Sequence, residues 1–315
     1  MARKAGRFNL IVVALDGSRW AEHSLPCAAA IARAARAKLR LVLVHQLPGP
    51  PGDRESLKIY TSLEVAVRKS QRAYLREVAT RLREGWAIPV TSVSPDGPVG
   101  PALLRYLGEV GADLVVMATH GRGALGRALL GSVADHVVRT AEVPVLLVRP
   151  PGDEPPPPES AWSAGQILVP LDGSAPAEAA LEPAADLARL LGARLSLVQV
   201  IVPIASATDP PMAFPTGYDE HLTDIRRREA QDYLDSVAEP LRAGGLEVGA
   251  AAVVATSAAG ALMDLARPGR ADLVVIASHG QGGLRRLALG SVADKLVRTA
   301  EVPVVVVRAG GKKRV

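Results

Sequence analysis

Two carboxylates, each followed by a Gly-Ser turn, are the first groups in this sequence whose types and spacing could do chemistry. Asp16 follows the apolar run 10–15, and Asp172 follows a second such run 156 residues later. A carboxylate at the end of a strand can accept hydrogen bonds from ribose hydroxyl groups. It can equally accept hydrogen bonds from the amides of its own turn while Ser18 or Ser174 caps the next helix. The residues alone leave both interpretations open.

A glycine-rich segment follows a later apolar run in each half of the chain. In both copies one glycine is separated by nine residues from a Gly-Ser pair. Glycine lets backbone amides approach a phosphate, and a serine at a helix start adds a hydroxyl beside the positive end of the helix dipole. The pattern therefore predicts an anion site, but it is neither a Walker loop nor a dinucleotide fingerprint. The residues are Gly121, Gly131 and Ser132 in the first half and Gly280, Gly290 and Ser291 in the second.

The elements that must position these residues are also repeated. Residues 118–149 match residues 277–308 at 22 of 32 positions. Between the halves lies the proline-rich segment 150–159, whose composition favours an extended spacer. We therefore predict one domain over residues 1–150, a linker over 151–162 and a second domain over 163–315.

Each half alternates apolar strands with helical segments. Strands are predicted at 10–15, 39–44, 88–93, 114–118 and 145–148, and again at 167–171, 195–201, 247–254, 273–277 and 304–307. Helices are predicted over about 19–37, 56–84, 101–110 and 132–140 in the first half. This alternation is typical of an α/β fold, here two tandem doubly wound domains with a five-stranded parallel sheet each. Ligands bind such sheets beyond the carboxyl ends of the strands, where both aspartates fall.

Composition and charge exclude several classes of protein. Hydrophobic residues make up 48% of the chain, which is too apolar for a disordered polymer, and the single Cys27 excludes an intrachain disulfide framework. The net charge of +5 comes from the first half, with 21 basic and 15 acidic residues over 1–160 against 16 and 17 over 161–315. No aromatic platform accompanies the basic residues, so nucleic acid is a minor alternative. The apolar run 10–15 is too short to span a membrane, and we expect a cytoplasmic protein.

The histidines give no sign of a metal site, because their spacing is not that of metal ligands. His120 and His279 precede the glycine-rich segment in both halves, which suggests a general acid or base. The sequence places no nucleophile or partner carboxylate beside them, so we favour turn histidines that bond to backbone. We predict no catalytic residue and no side-chain metal site.

On these residues the chain resembles the universal stress protein family in a tandem two-domain form. The family's signature is similar to Gly-x-x-Gly, nine residues and Gly-Ser or Gly-Thr, with an aspartate far upstream. The resemblance implies an adenine nucleotide alpha hydrolase-like fold and ATP as ligand, with Mg²⁺ carried on its phosphates. It also implies that Asp16 and Asp172 hold the ribose, that the Gly and Ser positions hold the phosphates, and that Val44 and Val200 pack against adenine. The first glycine of the signature is Ala118 in one copy and Ala277 in the other.

The resemblance implies a stress-response protein that binds ATP or a similar adenine nucleotide in one or both domains and acts as a regulator or sensor. Two alternatives are a nucleotide-independent interaction protein and a weak ATPase. Efficient phosphoryl transfer needs a positioned base and cationic stabilisation, which the sequence does not show. The family pairs its last strands across a dimer axis, so the resemblance also implies an intrachain pseudo-dimer and a homodimer.

Overall fold

The computed structural model describes residues 8–47, 49, 51–119, 130–150, 161–203, 219–279 and 289–309. The chain divides into two compact units, Met1–Ser163 and Ala164–Val315, called here the first and second domains. Within the described residues each domain has five strands, and the strand pairs within each domain are parallel. The predicted α/β fold with a five-stranded parallel sheet in each half is confirmed.

The first domain has the strand order β3-β2-β1-β4-β5. This order places β1 at the centre and β3 at an edge of the domain's sheet. The elements in chain order are β1 Leu10–Ala14, α1 Arg19–Glu22, α2 Leu25–Ala35, β2 Lys38–Val42, α3 Arg54–Trp86, β3 Val90–Val93, α4 Val99–Val110, β4 Leu114–Ala118, α5 Ser132–Thr140 and β5 Val145–Val148.

The second domain repeats the first, with the strand order β8-β7-β6-β9-β10. The edge strand β8 corresponds to β3. The elements in chain order are β6 Gln166–Pro170, α6 Ala175–Glu178, α7 Leu181–Leu191, β7 Arg194–Ile201, α8 Glu220–Ala243, β8 Val248–Val254, α9 Ala258–Leu265, β9 Leu273–Ala277, α10 Ser291–Thr299 and β10 Val304–Val307.

The core of each domain is built from aliphatic residues of the central strands. Every residue of β4, β5, β9 and β10 is buried. Strands covered by helices on both faces read as continuous apolar runs rather than as alternating ones. This explains why Val, Leu, Ile and Ala dominate a chain that is only 3% aromatic.

The predicted single helix over residues 19–37 is wrong, because the chain forms two helices with a break at His23 and Ser24. Pro26 lies in the first turn of α2, where its missing N–H needs no helical partner. The same residue cannot donate to the carbonyl of Glu22, so α1 cannot continue into α2. The Ser24 hydroxyl donates to the Ala21 carbonyl oxygen at 2.7 Å and stabilises the break.

The long helices α3 and α8 are charged along their exposed faces. Among the residues described, none of the helices combines the length and the apolar character needed to cross a membrane. Asp53 caps α3 by accepting a hydrogen bond from the Ser56 amide at 2.8 Å, and Asp219 caps α8 in the same way through Leu222.

Candidate functional site

Parallel register brings the predicted site residues of the first domain to one edge of the sheet. Ala14 of β1 pairs with Val42 on one side and with Met117 on the other. Asp16 and Val44 each lie two residues beyond this level, and Ala118 lies one residue beyond it. The carboxyl ends of β1, β2 and β4 therefore present these residues together, as the fold requires.

Asp16 is held by the turn that it opens. Its Oδ1 accepts a hydrogen bond from the Ser18 amide at 2.8 Å, and Gly17 adopts a φ of 80°, which favours glycine. The Ser18 hydroxyl in turn accepts from the Ala21 amide at 3.3 Å and caps α1. The turn-stabilising role is therefore present in the structure, and it fixes the carboxylate at the carboxyl edge of the sheet.

Asp172 makes the corresponding turn in the second domain. Its Oδ1 accepts from the Ser174 amide at 3.0 Å and also from the Ser174 hydroxyl, while Gly173 adopts a φ of 79°. Asp172 lies two residues beyond Pro170, and Pro170 pairs with Val198 of β7. The aspartate thus occupies the same level of the sheet in both domains.

The start of α5 is tied to the end of β4. The Gly131 amide donates to the Thr119 carbonyl oxygen at 2.8 Å, and no side chain caps the helix at this end. The first intrahelical hydrogen bond runs from the Asp135 amide to the Gly131 carbonyl oxygen. The amides of residues 132–134 therefore have no acceptor within the helix. Asp135 would oppose an anion here, but Arg139 pairs with it at 2.9 Å. The helix start therefore keeps the positive character that attracts a phosphate.

The start of α10 repeats this arrangement. The Gly290 amide donates to the Ser278 carbonyl oxygen at 2.8 Å, and no side chain caps the helix. A Cβ atom at Gly290 would meet the Ser278 carbonyl oxygen at 3.5 Å, which is an ordinary contact. Packing within the described part of the chain therefore does not require glycine at this position.

The remaining predicted residues lie at the same edges or outside the described residues. Ala118 and Ala277 end β4 and β9 and are 7% and 4% exposed. Val44 is buried just beyond β2, and Val200 is half-buried near the end of β7. Three residues of the glycine-rich segments lie outside the described residues, so their roles stay predictions. They are Gly121, Gly280 and His120.

The one motif histidine that is described lies beside a hydroxyl group. His279 Nδ1 is 3.0 Å from the Ser278 hydroxyl oxygen. The described residues contain no group of three His, Cys, Asp or Glu side chains arranged to hold a metal ion. Cys27 is buried in α2, and burial raises the pKa of its thiol, as for a small core residue.

Comparison with known proteins identifies the family. The model of the universal stress protein family matches residues 7–149 and 164–308. The chain belongs to this family. Each match covers one of the two domains, so the tandem form expected from the sequence is confirmed.

Relatives of both domains are universal stress proteins. Universal stress protein Rv2005c of Mycobacterium tuberculosis is 34% identical over 211 residues, which cover 66% of this chain and 65% of that protein, slightly under two thirds of its length. Universal stress protein Rv1996 of the same organism is 29% identical over 322 aligned residues, which cover 95% and 94%. The crystal structure of a universal stress protein from Archaeoglobus fulgidus is 20% identical, with a TM-score of 0.67 over 96% of this chain and 99% of that one. That structure shows the shared fold.

A glutamate–tyrosine pair beside each aspartate of this universal stress protein escaped the sequence analysis. In the second domain the Tyr233 hydroxyl donates to Glu178 Oε1 at 3.1 Å. Burial raises the pKa of Tyr233, and the carboxylates of Glu178 and Asp172 raise it further. The tyrosine of α8 therefore lies close to the turn that carries Asp172.

In the first domain the corresponding residues are Glu22 and Tyr74, but within the described part of the chain the buried Tyr74 hydroxyl has no hydrogen-bond partner and Glu22 instead binds a cation. Glu22 is buried and accepts from Arg81 Nη2 at 2.8 Å. Burial raises the pKa of Tyr74, and Glu22 and then Asp16 contribute further in the same direction. The repeat offsets could have identified both pairs. The glutamates are 156 residues apart, as are the aspartates, and the tyrosines are 159 residues apart, as are the Gly-Ser pairs.

Proposed function

We propose that each domain binds ATP or a similar adenine nucleotide at the carboxyl edge of its sheet. The protein then acts in the cytoplasm as a nucleotide-dependent regulator or sensor of the stress response rather than as an enzyme. One observation carries this proposal. Both domains place a turn-held aspartate and an uncapped helix start at the same edge of the sheet.

The chemistry of the two groups suits the two ends of a nucleotide. The carboxylate of Asp16 or Asp172 accepts hydrogen bonds from ribose hydroxyls. The uncapped amides of α5 or α10, with the hydroxyl of Ser132 or Ser291, donate to phosphate oxygens. Val44 and Val200 offer an apolar surface to the adenine ring. A Mg²⁺ ion bound with the nucleotide would offset phosphate charge.

Nucleotide that copurifies with the full chain tests the proposal. We expect heat to release an adenine nucleotide from freshly purified protein, and we expect added ATP and Mg²⁺ to raise the Tm of the stripped protein. The double variant Asp16→Asn/Asp172→Asn keeps an acceptor oxygen for the turn amides but removes both charges. It should lose the released nucleotide and the ligand-induced rise in Tm.

The matched control is Asp224→Asn/Asp264→Asn, which changes two exposed carboxylates on α8 and α9. This variant should release as much nucleotide as the unmodified chain. If the unmodified chain releases no nucleotide and its Tm does not respond to ATP, the proposal is wrong. A nucleotide-independent interaction protein would then account better for the fold.

A further inference from the structure

The edge strand β3 of the first domain borders a basic groove of about 590 Å³. The groove runs between β3 and the exposed face of α3, and the buried side chain of Leu75 is part of its lining. Its size is within the range of sites that hold ligands or short peptide segments. The polar lining consists of Arg68, Lys69, Arg72 and Arg76 from α3 and of Ser92 and Ser94 from the β3 side.

The pairing of β3 with β2 fixes which backbone groups point out of the sheet. The Leu39 amide donates to the Pro89 carbonyl oxygen at 2.9 Å, and the Leu43 amide donates to the Val93 carbonyl oxygen at 3.2 Å. Alternate residues of a strand direct their backbone groups to opposite sides. The backbone groups of Ser92 and Ser94 therefore point away from β2, toward the open edge.

In the second domain the same outward groups are covered by a side chain of the domain itself. Gln231 of α8 donates to the Ala250 carbonyl oxygen at 3.3 Å and accepts from the Ala252 amide at 3.0 Å. These bonds occupy an acceptor and a donor that an added strand would need. The edge of β8 is therefore closed by its own domain.

Arg83 caps the outward Val90 carbonyl at 2.7 Å, as Arg242 caps that of Val248 at 3.1 Å, but register and repeat offset show that the first domain lacks the glutamine closure. Ser92 pairs with Leu41 as Ala250 pairs with Leu197, so Ser92 is the counterpart of Ala250. The counterpart of Gln231, 159 residues earlier, is Arg72. Arg72 is exposed and forms no hydrogen bond to the edge within the described residues. The outward carbonyl of Ser92 and amide of Ser94 thus face the cationic Arg72, where the second domain has the capping Gln231.

The charges along α3 determine the charge of a segment that this edge could bind. Arg68 forms ion pairs with Glu64 at 3.1 Å and with Asp96 at 2.7 Å. Across the part of the chain that the structure describes, Lys69, Arg72 and Arg76 have no ion-pair partner. In the second domain the counterpart of Arg76 is an acid, Asp235, which pairs with Arg242 at 3.4 Å. Arg68 and Lys69 have cationic counterparts in Arg227 and Arg228, so the cations specific to the first domain are Arg72 and Arg76.

Cations beside an edge strand discourage pairing with most strands, but they attract an acidic one. Arg72 and Arg76 are four residues apart on the helix, which places them about 6 Å apart along its axis. Side chains on one face of an extended chain recur about every 6.6 Å. The carboxylates on one face of an acidic extended segment therefore match the spacing of the cations.

We propose that the β3 edge binds an extended acidic segment of a partner protein as an added strand. The segment's backbone pairs with the outward groups of Ser92 and Ser94, and its carboxylates bind Lys69, Arg72 and Arg76. Binding of this kind adds a strand from the partner to the sheet and selects an acidic segment through its charge.

Fluorescence anisotropy of labelled peptides with the full chain tests this inference. The probe is a peptide of about ten residues that alternates Glu with Val, long enough to pair with the open part of the edge at Ser92 and Ser94. Its comparators are the same peptide with Gln in place of Glu, and the acidic peptide with alternate backbone nitrogens methylated. We expect binding of the acidic peptide that weakens as salt is added, and binding weaker by roughly tenfold for both comparators.

The variant Arg72→Gln/Arg76→Asp gives β3 the two residues found beside β8. It should weaken binding of the acidic peptide by about tenfold or more, because the introduced glutamine can cap the edge and the introduced aspartate reverses the charge. The control Arg226→Gln/Arg228→Asp makes the same charge change on exposed residues of α8 and should bind like the unmodified chain. Unchanged Tm values for both variants would show that the fold is kept.

Three outcomes would overturn the inference. The first is equal binding of the methylated and unmethylated acidic peptides, which would mean that backbone pairing is absent. The second is equal loss of binding in the two charge variants. The third is tight binding of a single-stranded oligonucleotide with no binding of the acidic peptide, which would make the groove a nucleic-acid site.

Discussion

His23 is a buried histidine next to the turn that carries Asp16. It is 4% exposed, its Nε2 has no hydrogen-bond partner, and its ring stacks on Trp20 with centroids 6.4 Å apart. Burial lowers the pKa of His23, although Glu22 opposes this shift. Folding therefore favours the neutral ring, which makes the stability of the first domain depend on pH.

The sign of that dependence follows from proton linkage. Above about pH 6.5 the ring is neutral in both the folded and unfolded states, and its contribution to stability is complete. As the pH falls below that value, the unfolded state takes up the proton first, so the free energy of unfolding decreases. His23→Ala, which copies Ala179 of the second domain, should reduce the drop in Tm between about pH 7.5 and pH 5. The exposed His221→Ala is the control, and an equal effect of both variants would contradict this role.

Glu22 is a buried carboxylate that depends on Arg81. Removing the guanidinium in Arg81→Ala leaves a charge whose side chain is only 10% exposed, and we expect a loss of about 2 kcal/mol in the free energy of unfolding. Adding Glu22→Gln to this variant should recover part of the loss. Arg105→Ala, which breaks an exposed pair with Glu109, should cost about 0.5 kcal/mol or less by denaturant titration. Similar losses in both single variants would show that burial of Glu22 is unimportant.

At the scale of elements, α4 and α5 meet through a glycine. A Cβ atom at Gly100 would lie 2.5 Å from Cδ2 of the exposed His136, so an alanine there requires the ring to shift. Gly100→Ala should lower the free energy of unfolding by about 1 kcal/mol or less, because the exposed ring can move. The second domain has Ala259 and Lys295 at these positions. The double variant Gly100→Ala/His136→Lys should therefore recover stability, and failure to do so would show that the clash is not the cause.

The strands were predictable from the sequence because both faces of each sheet are covered. β4, β5, β9 and β10 begin and end at the predicted residues, since continuous apolar runs mark buried parallel strands. The break between α1 and α2 was missed because the Ala-rich composition favours helix on both sides of it. Pro26 was the local signal.

The site could be predicted only where its residues are close in sequence to the strand ends. Asp16 and Asp172 fall there, each in its own domain, whereas Gly131 and Gly290 lie 13 residues beyond β4 and β9 and are tied back to them by bonds to Thr119 and Ser278. The Glu22–Arg81 ion pair joins α1 to α3 and the Glu178–Tyr233 hydrogen bond joins α6 to α8, and these helices are far apart in sequence. Such contacts depend on how helices pack, which no local pattern encodes.

At the scale of the whole molecule, the duplicated site has a stoichiometric consequence. If both domains bind nucleotide, titration of the stripped chain should give about two ligands per chain, and Asp16→Asn or Asp172→Asn alone should give about one. Isothermal titration calorimetry measures this directly. A single variant that abolishes all binding would show that only one domain binds nucleotide, or that the two sites are coupled.

The stack of Trp20 on His23 also has an optical consequence. All three tryptophans, Trp20, Trp86 and Trp162, belong to the first domain, and the second domain contains none. Trp20 and Trp86 therefore report on the first domain, whereas Trp162 lies next to the domain boundary at Ser163, and Trp20 lies four residues from Asp16. If the first domain binds nucleotide as proposed, the emission of Trp20 should change on binding without any label. The difference between that signal and total binding would then report on the second domain.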